Sequence, residues 1–229
     1  MDLVAYYDAY WRQADDTFDM ERLGLLARLV SPGEHVLEVD CGPGVLANLM
    51  RERGAIVQGT DLSAVAVERT RAKGIPCLQV DLDVQPLPFA DGTFDTVVSN
   101  SAMEHRFFHE RSLSECARVL KPGGKFVLCL PNIAHWICRL WVLSGRFPYV
   151  KNSPTDLMHI RFFTVHEARL LCESHGLTVL RVDGSASMWA QEFYPSILRH
   201  RRVRGLYARL AGVWPSLFAR DFVLLCRKR

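Results

Sequence analysis

No Cys-x-x-Cys pair occurs in the 229-residue chain, and its seven cysteines (Cys41, Cys77, Cys116, Cys129, Cys138, Cys172 and Cys226) stand scattered, most of them in apolar runs. That pattern excludes a zinc ribbon or a dithiol redox motif. It fits thiols that serve as small core hydrophobes in a reducing, cytoplasmic setting. Long hydrophobic runs are missing as well. The longest, Val127 to Leu143, is broken by Pro131, Asn132, His135 and Arg139, so no membrane span is expected. The first residues carry Asp2, Asp8, Asp15 and Asp16 where a secretory signal would carry bases and an apolar core. Repeats and low-complexity segments are absent. Neither sign of charge dominates, with 28 Lys/Arg against 25 Asp/Glu.

What is present is a composition that can build a core: 49% hydrophobic and 23% charged residues. Disordered, collagen-like and disulfide-scaffold classes are excluded on that ground. Short apolar runs alternate with longer amphipathic ones, which predicts an α/β domain with a mostly parallel sheet. A helix is expected over about residues 3–30, ended by Ser31-Pro32-Gly33. Strands are expected at His35–Val39, Ala55–Thr60, Ile75–Val80, Phe94–Ser99, Lys125–Leu130, Leu177–Val182 and Phe222–Arg227. Helices at Val45–Arg53, Ser63–Ala72, Glu110–Leu120 and Thr164–His175 fall between them. Gly54 is a C-cap signal, and Ser63 and Thr164 are N-cap signals. One domain over 1–229 is expected, its core at 30–131 and 162–229, with insertions at about 132–161 and 184–220.

The first strand runs into a glycine turn, Val36-Leu37-Glu38-Val39-Asp40-Cys41-Gly42-Pro43-Gly44. A turn at the C-terminal end of a first parallel strand faces the ligand crevice of a doubly wound sheet. Gly42-x-Gly44-x-x-Ala47 also fits a dinucleotide fingerprint. Asp61 ends the second strand, where a carboxylate can take two ribose hydroxyls. These residues indicate an adenosine-type cofactor without choosing which. Glu38 within the first strand suits a cationic cofactor and would be misplaced beside a pyrophosphate. Asp81 ends the third strand, with Asp83 two residues on, and a carboxylate there can accept from an adenine amino group.

The chain resembles the class I S-adenosylmethionine (SAM) dependent methyltransferases of small-molecule type. The matching segments are Val36 to Gly44, Gly59-Thr60-Asp61-Leu62-Ser63, Leu87 to Asp95, Met103-Glu104-His105 and Ala117 to Gly124. More loosely, Leu130-Pro131-Asn132, Gly145 to Tyr149, Asp156-x-x-His159-x-Arg161-Phe162-Phe163-Thr164 and Pro215 to Ala219 are similar to the MetW-like subgroup. The resemblance implies a Rossmann-like, doubly wound seven-stranded sheet with its last strand antiparallel and helices on both faces. It implies SAM as cofactor and S-adenosylhomocysteine as product. It places Glu38, Asp40, Cys41, Gly42, Gly44, Asp61, Leu62, Asp81, Leu82, Asn100 and Tyr10 at the cofactor. Two departures stand out. Asp40 replaces the family's first loop glycine, so its carboxylate either meets the cofactor's ammonium group or weakens binding. Leu157-Met158 replace the subgroup's usual Arg-Thr.

The implied reaction moves a methyl group to a small-molecule acceptor, with a hydroxyl of a sugar or natural-product intermediate expected first. A hydroxyl acceptor calls for a base, and histidine serves near neutral pH. His105 and His159 are the catalytic candidates. Glu104, His135, Tyr149 and Arg161 are the acceptor-side candidates. Glu104 with His105 is only a two-ligand set, which does not define a metal site, and no metal is expected. Tyr6, Tyr10 and Trp11 are candidates for a lid; Trp136, Trp141, Phe147, Phe162 and Phe163 for the acceptor pocket wall. From Ser196 to Arg229 the chain carries nine Lys/Arg and one acid. The stretch Arg199 to Arg209 would suit an anionic lipid surface or a phosphate-bearing acceptor; no nucleic-acid module accompanies it. A non-catalytic SAM-binding domain acting through this basic region is the alternative, and a nicotinamide dehydrogenase a third, opposed by Glu38 and the Lys121-Pro122-Gly123-Gly124 turn.

Overall fold

The structure is a computed structural model that describes residues 2–14 and 17–229, without the side chains of Arg199 and Arg201. Seven strands form one sheet: β1 (His35–Val39), β2 (Ile56–Asp61), β3 (Cys77–Gln79), β4 (Phe94–Asn100), β5 (Leu120–Pro131), β6 (Leu177–Ser185) and β7 (Asp221–Lys228). Their order is β3-β2-β1-β4-β5-β7-β6. β1 pairs in parallel with β2 and β4, while β7 runs antiparallel between β5 and β6. Strands covered on both faces read as unbroken apolar runs, and Val36, Leu37 and Val39 of β1 are fully buried. The Rossmann-like topology and the antiparallel last strand are as the family resemblance implied.

Alternate residues of each strand feed opposite cores, because successive side chains point to opposite faces. Leu37, Val97, Phe126, Leu128 and Leu224 pack on one face with α5 (His109–Val119) and α7 (Val165–Ser174). Val36, Val98, Val127 and Val223 pack on the other with α2 (Met20–Ala27) and α3 (Val45–Glu52). The long first helix of the sequence reading is in fact two. α1 (Leu3–Gln13) starts at Asp2, whose carboxylate accepts from the Ala5 amide, and α2 starts afresh at Asp19, which accepts from the Arg22 amide. Asp19 is a stronger local signal than the apolar periodicity that ran through it. α4 (Ala64–Ala72) packs on α1, β2 and β3.

Both insertions carry structure. The first contains α6 (Trp136–Leu143); the second contains α8 (Arg201–Val213) and α9 (Pro215–Phe218). Their apolar residues form one cluster of Ile137, Cys138, Phe193, Tyr194, Tyr207 and Ala211. They leave the sheet where β5 and β6 end, and the second rejoins it where β7 begins, all at the crevice end of the parallel strands. Asn132 joins them: its amide hydrogens reach the carbonyls of Pro215, Ser216 and Ala219, and its backbone N–H reaches that of Arg220.

α8 lies so close to β6 that a β-carbon on Gly184 would fall 2.2 Å from the Ala211 carbonyl oxygen. Gly184→Ala should therefore force α8 off the sheet. Overpacking of this kind costs about 1–3 kcal/mol, a drop in Tm of roughly 2–12 °C for a domain of this size. An unchanged Tm would mean that α8 does not pack at this distance.

Candidate active site

Sheet order reverses between β1 and β4, so the crevice opens at their C-terminal tips. The turn after β1 takes left-handed backbone at Asp40 (φ 53°), Gly42 (φ 54°) and Gly44 (φ 73°). Gly42 has a second reason to be glycine, since a β-carbon there would lie 2.8 Å from the Trp11 ring. Thr70 donates to the Gly42 carbonyl at 2.9 Å. Asp61, at the tip of β2, accepts from the Gly42 amide at 2.8 Å and the Ser63 amide at 2.9 Å. Burial, with Asp40 nearby, pushes its carboxyl up to about 7. Glu38 lies wholly buried beneath the turn. Its Oε2 has no hydrogen-bond partner among the described residues. Burial raises its pKa well above the usual carboxylate range.

Asp40 has a protein partner that its position in the sequence did not announce. Its carboxylate receives a two-armed contact from the guanidinium of Arg106, one arm being Nε to Oδ2 at 2.9 Å. The same guanidinium lies 3.9 Å from Asp81 and 3.8 Å from Asp83. Asp81 accepts from the Asp83 amide, and Asp83 from the Phe108 amide. Arg106 is 6% exposed, so its charge is compensated inside the protein. Fork-shaped Arg–carboxylate contacts combine charge with fixed geometry. Leu82 is buried beside this cluster, and Cys41 is buried against Val67 and Cys77. Leu62 is part-buried after Asp61, its carbonyl accepting from Gln79.

α1 crosses the crevice and is pinned on both sides. Asp8 accepts from the Ser63 hydroxyl at 2.5 Å, Arg69 donates to the Trp11 carbonyl at 2.9 Å, and the Tyr6 hydroxyl donates to Met158 Sδ at 3.0 Å. Trp11 thus covers the glycine turn, whereas Tyr10, the expected cofactor contact, is 45% exposed. Tyr7, not singled out from sequence, faces inward, and burial with Asp40 close by raises its phenol.

On the other side of the crevice, β4 ends at Asn100, whose Oδ1 is buried without a partner among the described residues. The 3-10 turn Met103–His105 follows. Glu104 is fully buried, and neither carboxylate oxygen has a hydrogen-bond partner among the described residues. Burial pushes it up to about 8. Its carbonyl accepts from the Ile160 and Arg161 amides, stitching the first insertion to this turn. His105 and His159 meet edge to face at 5.0 Å. Nδ1 of His105 lies 3.0 Å from the Met158 carbonyl and Nδ1 of His159 lies 3.3 Å from that of Pro154. Burial pushes His105 down to about 4 and lowers His159 as well. Met158, one of the two departures from the subgroup pattern, therefore anchors both Tyr6 and His105, and Leu157 beside it is exposed.

Three acceptor-side expectations fall differently. His135 is a structural residue. It caps α6 by accepting from the Ile137 amide on Nδ1, so its Nε2–H donates to Tyr207, 2.5 Å away, amid Phe193, Tyr194 and Trp136. Tyr149 is 63% exposed, and Arg161, also exposed, donates to the Phe107 carbonyl. Phe163 is a core residue under α7; Trp136 and Trp141 pack in the insertion cluster, and Phe147 and Phe162 stay exposed, stacked edge-on. Sequence reading missed Arg22, which donates to Ser101 at 2.8 Å and lies 3.6 Å from Asp221. It also missed Arg220, buried against Asp19 and Asp221. A cleft of about 530 Å³ opens beside Asp19, Ser187, Trp189 and Arg204. In the basic stretch, Arg204 pairs with Glu21, Arg202 and Arg209 are exposed, and the side chains of Arg199 and Arg201 lie outside the described residues. Among the described residues no helix is long and apolar enough to cross a membrane.

A family model described as methionine biosynthesis protein MetW matches residues 20–203. The chain belongs to the MetW family. Its relatives place this MetW-family chain among the class I SAM-dependent methyltransferases. It is 33% identical over 150 residues to a Mycolicibacterium smegmatis protein named as an S-adenosylmethionine-dependent methyltransferase, covering 64% of this chain and 53% of that one. It is 30% identical over 158 residues to the ubiquinone biosynthesis O-methyltransferase of Coxiella burnetii, covering 66% and 67%. The chain spans between about a third and two thirds of the length of the first curated relatives it matches. A methyltransferase of Haloferax volcanii, solved with the Trm112 activator, superposes with a TM-score of 0.66 at 22% identity, covering 96% of both chains, and shares the fold.

Arg106 and Asp40 should behave as one unit. Arg106→Met strands the Asp40 carboxylate in a mostly buried site, at a cost of about 3–5 kcal/mol. Asp40→Gly relieves the positive φ and leaves Arg106 with Asp81 and Asp83, so it should cost under about 1.5 kcal/mol. The double variant should be more stable than the sum of the singles predicts, by at least roughly 0.5 kcal/mol in urea unfolding. Additive losses would show that the two residues do not depend on each other.

Proposed function

We propose that the chain transfers the methyl group of SAM to a hydroxyl of a small-molecule acceptor, most simply a sugar or natural-product intermediate. The observation that supports it best is the charge of the crevice. The strand tips present Glu38, Asp40, Asp61, Asp81 and Asp83, and the one guanidinium among them, Arg106, already faces Asp40, Asp81 and Asp83. Among the described residues, a pyrophosphate there would face these carboxylates with the Arg106 charge already engaged. A cofactor with an ammonium group, a ribose diol, an adenine amine and a sulfonium would meet acceptors for each. The buried unpartnered atoms Glu38 Oε2 and Asn100 Oδ1 fit the same demand.

Glu38, Asp61, Asp81, Asn100 and the glycine turn would hold this cofactor, with α1 and Trp11 covering it. When bound, it supplies a methyl group activated by the adjoining sulfonium. The chain's own work is to exclude water with α1 and the two insertions, and to hold the acceptor oxygen beside the tip of β4. His105 and His159 are both uncharged at neutral pH, since burial lowers their pKa values. A neutral imidazole with Nδ1 turned to a carbonyl keeps Nε2 free to accept the hydroxyl proton. The name of the Coxiella relative, an O-methyltransferase, supports oxygen as the acceptor atom.

Methyl-labelled SAM incubated with the protein and separate pools of hydroxylated small molecules, amines and peptides tests this. Label should appear in a hydroxylated product, with one S-adenosylhomocysteine formed per methyl transferred. Label in the amine or peptide pool alone would overturn the acceptor class. Tight SAM binding with no transfer in any pool would favour the non-catalytic reading.

A further inference from the structure

The sequence supplied two candidate metal ligands, Glu104 and His105, and the fold brings a third to them from the far insertion. One ring nitrogen each of His105 and His159 and one carboxylate oxygen of Glu104 lie within 4.8 Å of one another, His159 Nε2 being 4.0 Å from Glu104 Oε1. We propose that Glu104, His105 and His159 form a site for a first-row divalent transition metal of the zinc class, on the acceptor side of the crevice.

Three independent features of the cluster support it. The first is Glu104 itself. It is 0% exposed, and both of its oxygens lack a hydrogen-bond partner among the described residues. A buried carboxyl in that state needs an explanation. Burying a lone carboxylate is costly, and a divalent cation supplies the missing counter-charge. The second is the orientation of the histidines. Each turns Nδ1 to a backbone carbonyl, His105 to Met158 and His159 to Pro154. That contact favours the tautomer with the proton on Nδ1 and leaves Nε2 as the lone-pair nitrogen. Metal-binding histidines are usually held in this way by an outer carbonyl or carboxylate. The third is ligand chemistry. Two imidazoles and one carboxylate suit zinc or iron, whereas magnesium and calcium prefer all-oxygen sets. Three protein ligands also leave a position open, as in catalytic sites.

Bonds of about 2.0–2.1 Å to a common metal would place the ligand atoms roughly 3.3 Å apart. The ends of the three side chains would have to close by about 1 Å, a movement that, among the described residues, no hydrogen bond to the Glu104 carboxylate resists. Arg22, whose charge reaches Glu104 and His159, is engaged by Ser101 and lies 3.6 Å from Asp221, so its charge does not stand alone against a cation.

The role of this metal rests on the proposed hydroxyl acceptor. A hydroxyl bound at the open position would lose its proton to water, as metal-bound oxygens do near neutral pH. The resulting oxyanion would then form the new carbon–oxygen bond while the carbon–sulfur electron pair stays on sulfur. The histidines would in that case be ligands rather than bases.

Untagged protein, stripped of metal by chelator, is titrated with Zn²⁺ by calorimetry and with Co²⁺ by visible absorption, without SAM or acceptor. One equivalent should bind, with the visible bands of four- or five-coordinate Co²⁺. Glu104→Gln, His105→Ala and His159→Ala should each weaken binding by at least ten- to a hundredfold, while His166→Ala, an exposed histidine elsewhere, should not. Glu104→Gln keeps the side chain's shape, so it stays informative if a histidine variant fails to fold. No binding at micromolar metal, or binding that survives Glu104→Gln and His159→Ala, would overturn the site. Because neither cofactor nor acceptor is present, this result is read separately from methyl transfer.

Discussion

One buried guanidinium organises the cofactor side of the crevice. Arg106 faces Asp40 after β1 and Asp81 and Asp83 after β3, and it belongs to the turn that follows β4. Three strand tips from across half the sheet are thereby held around one positive charge. The crevice needs carboxylates to receive a cationic cofactor, yet carboxylates packed this closely repel one another, and Asp40 already raises the pKa of Asp61. Arg106 offsets that repulsion without offering a free positive face to the ligand. It also accounts for an aspartate at a position that takes left-handed backbone, where glycine is the easier residue. Asp and Asn are among the few side chains that visit this region routinely, and here the carboxylate has a fixed partner.

The other side of the crevice is built differently, from two insertions that bury their apolar residues mainly against each other. Asn132 and Asp19 join them to the sheet. Asp19 caps α2, accepts from Ser187 at 2.6 Å and pairs with Arg220. Such links place His159, more than fifty residues beyond Glu104 in the chain, against the turn that carries Glu104 and His105. The result is a turn whose buried acceptors, Glu104 and Asn100 Oδ1, lack partners among the described residues, beside an apolar insertion cluster in which His135 is used for packing.

Much of this was legible before any coordinates. The α/β layout with a mostly parallel sheet, the glycine turn and the carboxylates at the strand tips follow from apolar runs and turn residues that act locally, whereas the seven-stranded sheet and its antiparallel last strand came from the family resemblance. Two kinds of feature were not legible. Asp19 interrupts a helical pattern at one residue, and its capping role competes with a periodicity that continues on both sides. The Asp40–Arg106 contact joins residues 66 positions apart, so neither residue signals the other. An aspartate in a glycine's place and an arginine after Glu104-His105 were each visible, but only the fold shows that they are one adaptation. His135 illustrates the converse: Trp136 and Ile137 beside it pointed to a core-facing helix, but its tyrosine partner, Tyr207, lies 72 positions away and gives no local sign.

This acid-lined crevice should accept SAM although Asp40 stands where a glycine would. Side-by-side calorimetric titration of the purified chain with SAM, S-adenosylhomocysteine and NAD decides it. Saturable binding of the first two in the micromolar range and none of NAD is expected. Binding of NAD, or no binding of SAM and its demethylated product, would contradict it.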